Sequence, residues 1–133
     1  MIELAAKHGD ELNVACDFSP EQTEAIFTQL SRFAEKHGRK PESVAKSVGI
    51  WTRILRSENE MEEKIKKGAV ARGVSEEAYR KRLASSIWGT PDIVAEKVGQ
   101  YKDQGVSEVI LIFPYGEKRE QIAMLGESVL PRL

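Results

Sequence analysis

One order of elements repeats along this chain: a short apolar run, a capped helix, another apolar run, another capped helix, a last apolar run and a closing helix. Strands that alternate with helices predict βα units and a parallel sheet, because a chain that returns to the same edge of a sheet must cross over it. Residues Glu3 to His8 read as the end of a helix stopped at Gly9, and Glu11 to Cys16 as a short strand. Ser19-Pro20-Glu21-Gln22 starts the next helix, with Ser19 as cap, Pro20 at the first helical position and Gln22 closing a capping box. Ile26, Leu30, Phe33 and Ala34 supply its apolar stripe, and Lys36, His37, Gly38 and Pro41 end it.

Val44 to Leu55 reads as the second strand. Val48, Ile50, Thr52 and Ile54 alternate there with Ser47, Gly49, Trp51 and Arg53. Ser57 to Glu60 is a second capping box, opening a helix with Met61, Ile65 and Ala69 inward. Gly73 breaks it, and Ser75 caps a short helix anchored by Tyr79 and Leu83. Thr90 and Pro91 start a helix with the stripe Val94, Val98 and Tyr101, stopped at Gly105. Val106 to Phe113 contains the unbroken run Val109 to Phe113, the pattern of a strand covered on both faces. If a partner covers the edge of that strand, lysine at Ile110 or Leu111 gives insoluble or monomeric unfolded material. After Pro114-Tyr115-Gly116, a last helix carries Ile122, Leu125 and Val129 inward.

The expected organisation is a single α/β domain over residues 1–133 with three strands. Three parallel strands leave two open edges, so either copies of the chain pair or the chain is part of a larger barrel. The 20 basic and 21 acidic residues give a net charge of -1, which removes the electrostatic case for nucleic acid or an anionic membrane. No apolar run approaches a membrane span, the start has no signal-peptide pattern, and the single cysteine makes no intrachain disulfide. A cytoplasmic protein is the expectation.

The last third carries a resemblance. Ser86-Ile87-Trp88, the stretch GTPDIVAEKVGQYKDQGVSEVILIFP and the ending MLGESVLPRL resemble the C-terminal part of the bacterial luciferase-like oxidoreductases. Upstream, LAAKHGDELNVA resembles the entry to that family's sixth barrel strand, and SPEQTEAIFTQLSRFAEKHGRKPESV the helix after it. The resemblance implies a partial (β/α)8 TIM-type barrel, about the last three βα units, and chemistry on a flavin (FMN) or deazaflavin. The family's usual Asp-Gly-Trp is Asp10-Glu11-Leu12 here, and the five strands that supply most of its cofactor pocket have no counterpart. It therefore implies an oxidoreductase that is active only if other chains, a complementing barrel chain or further copies in a homo-oligomer, supply the missing pocket. The alternative is a non-catalytic, self-associating half-barrel remnant.

Barrels of parallel strands gather chemistry at the strands' C-terminal ends. Four candidates sit there: Asp17, Arg53, Arg56 and Tyr115. Either arginine could hold a phosphate or carboxylate through its planar fork, or could pair with Glu58 and Glu60. Tyr115 could line a ring pocket or pack over its own loop. Asp17 could be an acid–base group or could support the Ser19 helix start. His8, His37 and Cys16 lack metal-ligand spacing, so no metal is expected. Lys64 to Lys67 and Arg80 to Arg82 read as solvated helix faces, and Gly68 and Gly73 do not follow a strand as a phosphate loop requires.

Overall fold

The computed structural model describes residues 1–16 and 18–133. Its elements are α1 (Ile2–His8), β1 (Glu11–Ala15), α2 (Pro20–Lys36), β2 (Ala45–Ile54), α3 (Glu58–Ala71), α4 (Glu76–Leu83), β3 (Ile87–Gly89), α5 (Pro91–Asp103), β4 (Glu108–Ile112) and α6 (Lys118–Met124). All strand pairings are parallel, as the alternation requires. The count differs from expectation: Ile87–Gly89 is a fourth strand. Three residues are too few to show a period of two, and the cap signal that follows them masks the strand.

Every pairing in the sheet is made through β2. Its odd-numbered peptide groups face β1: Ala45 N–H donates to Asp10 O at 2.8 Å, and Cys16 N–H to Gly49 O at 2.8 Å. Leu55 N–H, of the same parity, donates to Gly89 O at 2.9 Å, so β3 follows β1 along that edge. The even-numbered groups face β4, where Ser107 N–H donates to Lys46 O at 2.9 Å. The registers Val14↔Val48 and Val48↔Val109 then place these three side chains on one face.

That face meets the helices. Val14, Val48, Ile50 and Ile54 pack with Phe27, Leu30, Ala34, Val94, Tyr101 and Val129 in the main core. The helix starts follow the sequence signals in part. Ser19 and Gln22 form the complete capping box, and Ser75 accepts from Ala78 N–H at 3.1 Å. Ser57 accepts from Glu60 N–H at 3.2 Å, but the Glu60 carboxylate takes Arg56 N–H at 2.8 Å, so the second box is half made. The Thr90 hydroxyl makes no cap bond, and α5 starts on its proline alone.

The other face corrects a stronger expectation. No helix among the described residues covers Trp51 (46% exposed) or Ile110, so the β4 run is half-buried, with Val109 and Phe113 packed against the core. A lysine at Ile110 would therefore enter solvent rather than a core. A continuous apolar run reports burial somewhere, and cannot say whether this chain or another supplies the cover. Ala15 and Ile112 share that face with polar groups, where Ser47 donates to Glu11 and accepts from Asn13 Nδ2 at 2.8 Å.

The last helix also departs from its predicted stripe. Ile122 is 59% exposed while Gln121 is buried. Beyond the end of β4, the Gln121 amide pairs with β2 as a strand would: Ile54 N–H donates to Oε1 at 2.7 Å, and Nε2 donates to Ile54 O at 3.0 Å. Satisfying these two buried backbone groups rotates α6 away from an all-apolar inner face. The backbone then widens into a π-type turn over Leu125–Val129, which returns Val129 to the core.

Candidate functional site

The C-terminal ends of β2 and β3 open into a cleft of about 610 Å³. Trp51, Thr52, Arg53 and Trp88 come from the strand ends and Pro114 from the turn after β4. Helix α3 adds Lys64, Lys67, Gly68 and Arg72, and α4 adds Tyr79, Arg82 and Leu83. Five of the lining residues are cationic and none is acidic.

The aromatic wall is built by close packing. Tyr79 meets Trp88 edge to face, with ring centres 6.4 Å apart and planes at 87°. Gly68 makes room for this arrangement: a Cβ there would lie 2.5 Å from the Tyr79 ring. Glycine inside a helix costs about 1 kcal/mol relative to alanine, and here that cost accompanies the close seating of Tyr79 on α3.

Arg53 is the best-held of the sequence candidates. Its guanidinium lies 4.8 Å from the Trp88 ring centre and forms a two-point pair with Glu117, Nε at 3.1 Å and Nη2 at 2.8 Å. The side chain is 18% exposed. The acid expected beside it was Glu58 or Glu60; the partner comes instead from the start of α6, which no local spacing reveals. Lys64 shares Glu117 at 3.9 Å and Glu60 at 3.8 Å. Arg56 points elsewhere, exposed and paired with Glu120 at 2.7 Å. Tyr115 is 96% exposed, with Lys118 Nζ 5.4 Å from its ring centre, and borders a separate groove with Trp51, Ile112 and Ile122. Asp17 lies outside the described residues. The structure thus brings one of the four candidates into the cleft.

Sequence reasoning passed over most of the cleft. Lys64, Lys67 and Arg82 read in the sequence as solvated helix faces; Lys67 and Arg82 are exposed, and all three line the cleft. The signal is their register: Lys64, Lys67, Gly68 and Arg72 share one helical face, as do Tyr79, Arg82 and Leu83. His37 instead bonds Glu3 at 3.1 Å, and among the described residues no three His, Cys, Asp or Glu side chains gather as metal ligands. No helix among them is long and apolar enough to cross a membrane.

A parallel sheet with helices on one face, its strand ends opening on a cleft, has the architecture of part of a (β/α)8 barrel. Solved structures share it. The chain superposes on the coenzyme F420-dependent tetrahydromethanopterin reductase of Methanopyrus kandleri with a TM-score of 0.70 and 18% identity, covering 98% of this chain and 47% of that one. An F420-dependent secondary alcohol dehydrogenase gives 0.73 and 14%, covering 98% and 45%. The long-chain alkane monooxygenase LadA gives 0.68 and 19%, covering 99% and 38%. At these identities the likeness establishes the fold. In sequence, 67 residues, 50% of this chain and 19% of the relative, are 34% identical to the 5,10-methylenetetrahydromethanopterin reductase of Archaeoglobus fulgidus. No family model matches the chain. The resemblance to the luciferase-like oxidoreductases is thus supported by both sequence and fold. The chain spans less than half the length of these proteins.

Proposed function

We propose that this chain forms one wall of the site of a flavin- or deazaflavin-dependent oxidoreductase, which works when further strands close its sheet. The supporting observation is the cleft at the C-terminal strand ends, where parallel barrels carry their chemistry. The donor set suits such a cofactor: aromatic faces at Trp51 and Trp88 accept a planar ring, and an all-cationic rim accepts its anionic tail. The bound cofactor would supply hydride transfer or oxygen activation. The chain's own part is to bind and orient. Arg53, fixed by Glu117 and Trp88, would hold an anionic or carbonyl oxygen at the strand ends, and Trp51 would exclude water from one side.

The missing strands would come from a complementing barrel chain or from further copies. The protein should be examined by native mass spectrometry as purified, then titrated with FMN and with F420, followed by their visible absorbance. A retained or saturably bound cofactor supports the proposal. A folded assembly that binds neither, alone or with a complementing barrel half, refutes it. A second reading, a non-catalytic self-associating remnant, draws on the bare sheet face at Trp51 and Ile110 and on the outer edges of β1 and β4, which are unpaired among the described residues. Its signature is an oligomer with no bound cofactor.

A further inference from the structure

The two outer edges of the sheet are built differently. In β4 the odd-numbered peptide groups face β2, as Ser107 N–H donating to Lys46 O shows, so the groups of Glu108, Ile110 and Ile112 point outward. Among the described residues no second strand pairs with them. Apolar side chains flank this edge on both faces: Ile110 and Ile112 stand with Gly49 and Trp51 on the bare face, Leu111 and Phe113 on the other. With Tyr115 and Ile122 the C-terminal part of the edge forms an apolar groove of about 500 Å³, lined from both faces. The usual guards of an edge strand are missing, since Val109 to Phe113 holds no charge and no proline and its register with β2 runs without a bulge. On β1 the outward groups are those of Glu11, Asn13 and Ala15, and the first two side chains are polar and tied to Ser47.

A strand added to β4 meets apolar side chains on both faces, so it must itself be apolar on both. Among the free edges of the described residues, β1 brings Glu11 and Asn13 to one face and β3 is three residues long, which leaves β4 as the match for β4. We infer that two copies of this chain pair through the outer edges of β4, antiparallel about a two-fold axis at Ile110. The inference rests on the reading above that copies associate, and adds the edge, the register and a consequence. A two-fold that joins one edge to itself reverses the strand, so Ile110 meets the partner's Ile110 and Glu108 meets the partner's Ile112. Each outward residue then exchanges a pair of N–H···O=C bonds with the other copy. Charge agrees with this direction: Glu108 of each copy reaches the end of the partner's groove, which Lys118 lines, whereas parallel strands would set Glu108 against Glu108. Trp51, Ile110, Tyr115 and Ile122 are exposed. They leave roughly 400 Å² of apolar surface on each copy, and covering it with the two edges buries on the order of 1,000 Å², the lower bound of a specific interface. The consequence is exclusion. A copy on the β4 edge occupies the place where further strands would close a barrel, so the dimer and the completed site compete.

Sedimentation velocity of the full chain over a dilution series should show monomer and dimer and nothing larger, because a two-fold contact closes on itself. Ile110→Pro removes an outward N–H that β2 does not use, so it should keep the parent's circular dichroism and stay monomeric where the parent is dimeric. Disulfide capture reads the register in a Cys16→Ser background. Ile110→Cys should cross-link to its partner on mild oxidation, since opposed residues of a hydrogen-bonded pair stand about 5.5 Å apart, within reach of a disulfide. Asn13→Cys, on the outer edge of β1, should not. If Ile110→Pro fails to fold, the cross-link decides. A folded parent that stays monomeric, a ladder of larger species, or cross-linking at Asn13 in place of Ile110 overturns the inference. FMN and F420 are titrated into the same samples. A dimer without cofactor binding, alone or with a complementing barrel half, sinks only the oxidoreductase reading, and a cofactor-binding chain that never dimerises sinks only this one.

Discussion

Replacing Gln121 with leucine removes both hydrogen bonds that the side-chain amide makes to Ile54 while leaving a side chain of similar size. Gln121 is 3% exposed and Ile54 1%, so water does not readily replace the amide. Two orphaned backbone groups cost roughly 1–3 kcal/mol each. The more apolar leucine offsets about 1 kcal/mol of that. A net loss of about 1–5 kcal/mol is expected, against a typical domain stability of about 5–15 kcal/mol. For a chain of this length it lowers Tm by roughly 3–20 °C. Urea unfolding followed by circular dichroism should show a lower midpoint at unchanged slope. Gln121→Glu adds a test of sign. Ionised, the carboxylate accepts from Ile54 N–H but repels Ile54 O; protonated, it can donate to that oxygen as the amide does. Its folded-state pKa is therefore expected above the unfolded value of about 4.3. The variant's stability contribution is then present below that value and lost as pH rises through the raised folded one. A leucine variant within about 0.5 kcal/mol of the parent, or a glutamate variant equally stable at pH 4 and pH 7, would refute the strand-mimic argument.

Three further outcomes follow from packing and charge. A Cβ on Gly89 would lie 2.6 Å from Ile93 Cγ2 and 2.7 Å from Ile93 Cβ, so Gly89→Ala should destabilise by about 1–3 kcal/mol in urea, and Ile93→Ala, which keeps the Cβ, should leave most of the loss in place. Burial, and then the charge of Glu21, push the Tyr101 phenol above its ordinary value, so stability present below pH 10 falls as pH rises through the raised folded value. Tyr101→Phe should remove that alkaline fall in thermal melts. Hydrogen bonds from Lys36 and then His37 hold the Glu3 carboxyl below its ordinary value. That contribution is present above the unfolded value and lost as pH falls through the lowered folded one, so Glu3→Gln should flatten the acid limb of urea midpoint against pH.

The βα order was legible because caps and periods are local: Ser19, Gln22 and Ser75 act within one helical turn. What could not be read depends on groups distant in sequence. Arg53 meets Glu117, and Gln121 meets Ile54, across the fold, and no spacing rule links either pair. The cleft shows a third case. Its cations stand in runs of like charge whose residues alternate between outward and inward faces, so composition within the run says solvent while register says recess. The bare face of β4 is a different kind of failure. An apolar run specifies that something covers it, and the covering group need not be encoded in the same chain.

Because β1, β3 and β4 are each hydrogen-bonded to β2 and none to another, the sheet has a hub, and the hub determines the order of events in synthesis. The Ser47↔Glu108 register means that one edge of β2 finds its strand only about 60 residues later in synthesis. Until then β2 presents an open, apolar edge at the ribosome, the kind of edge that recruits strands from other nascent chains. Two chains made side by side on one messenger would meet while that edge is still vacant.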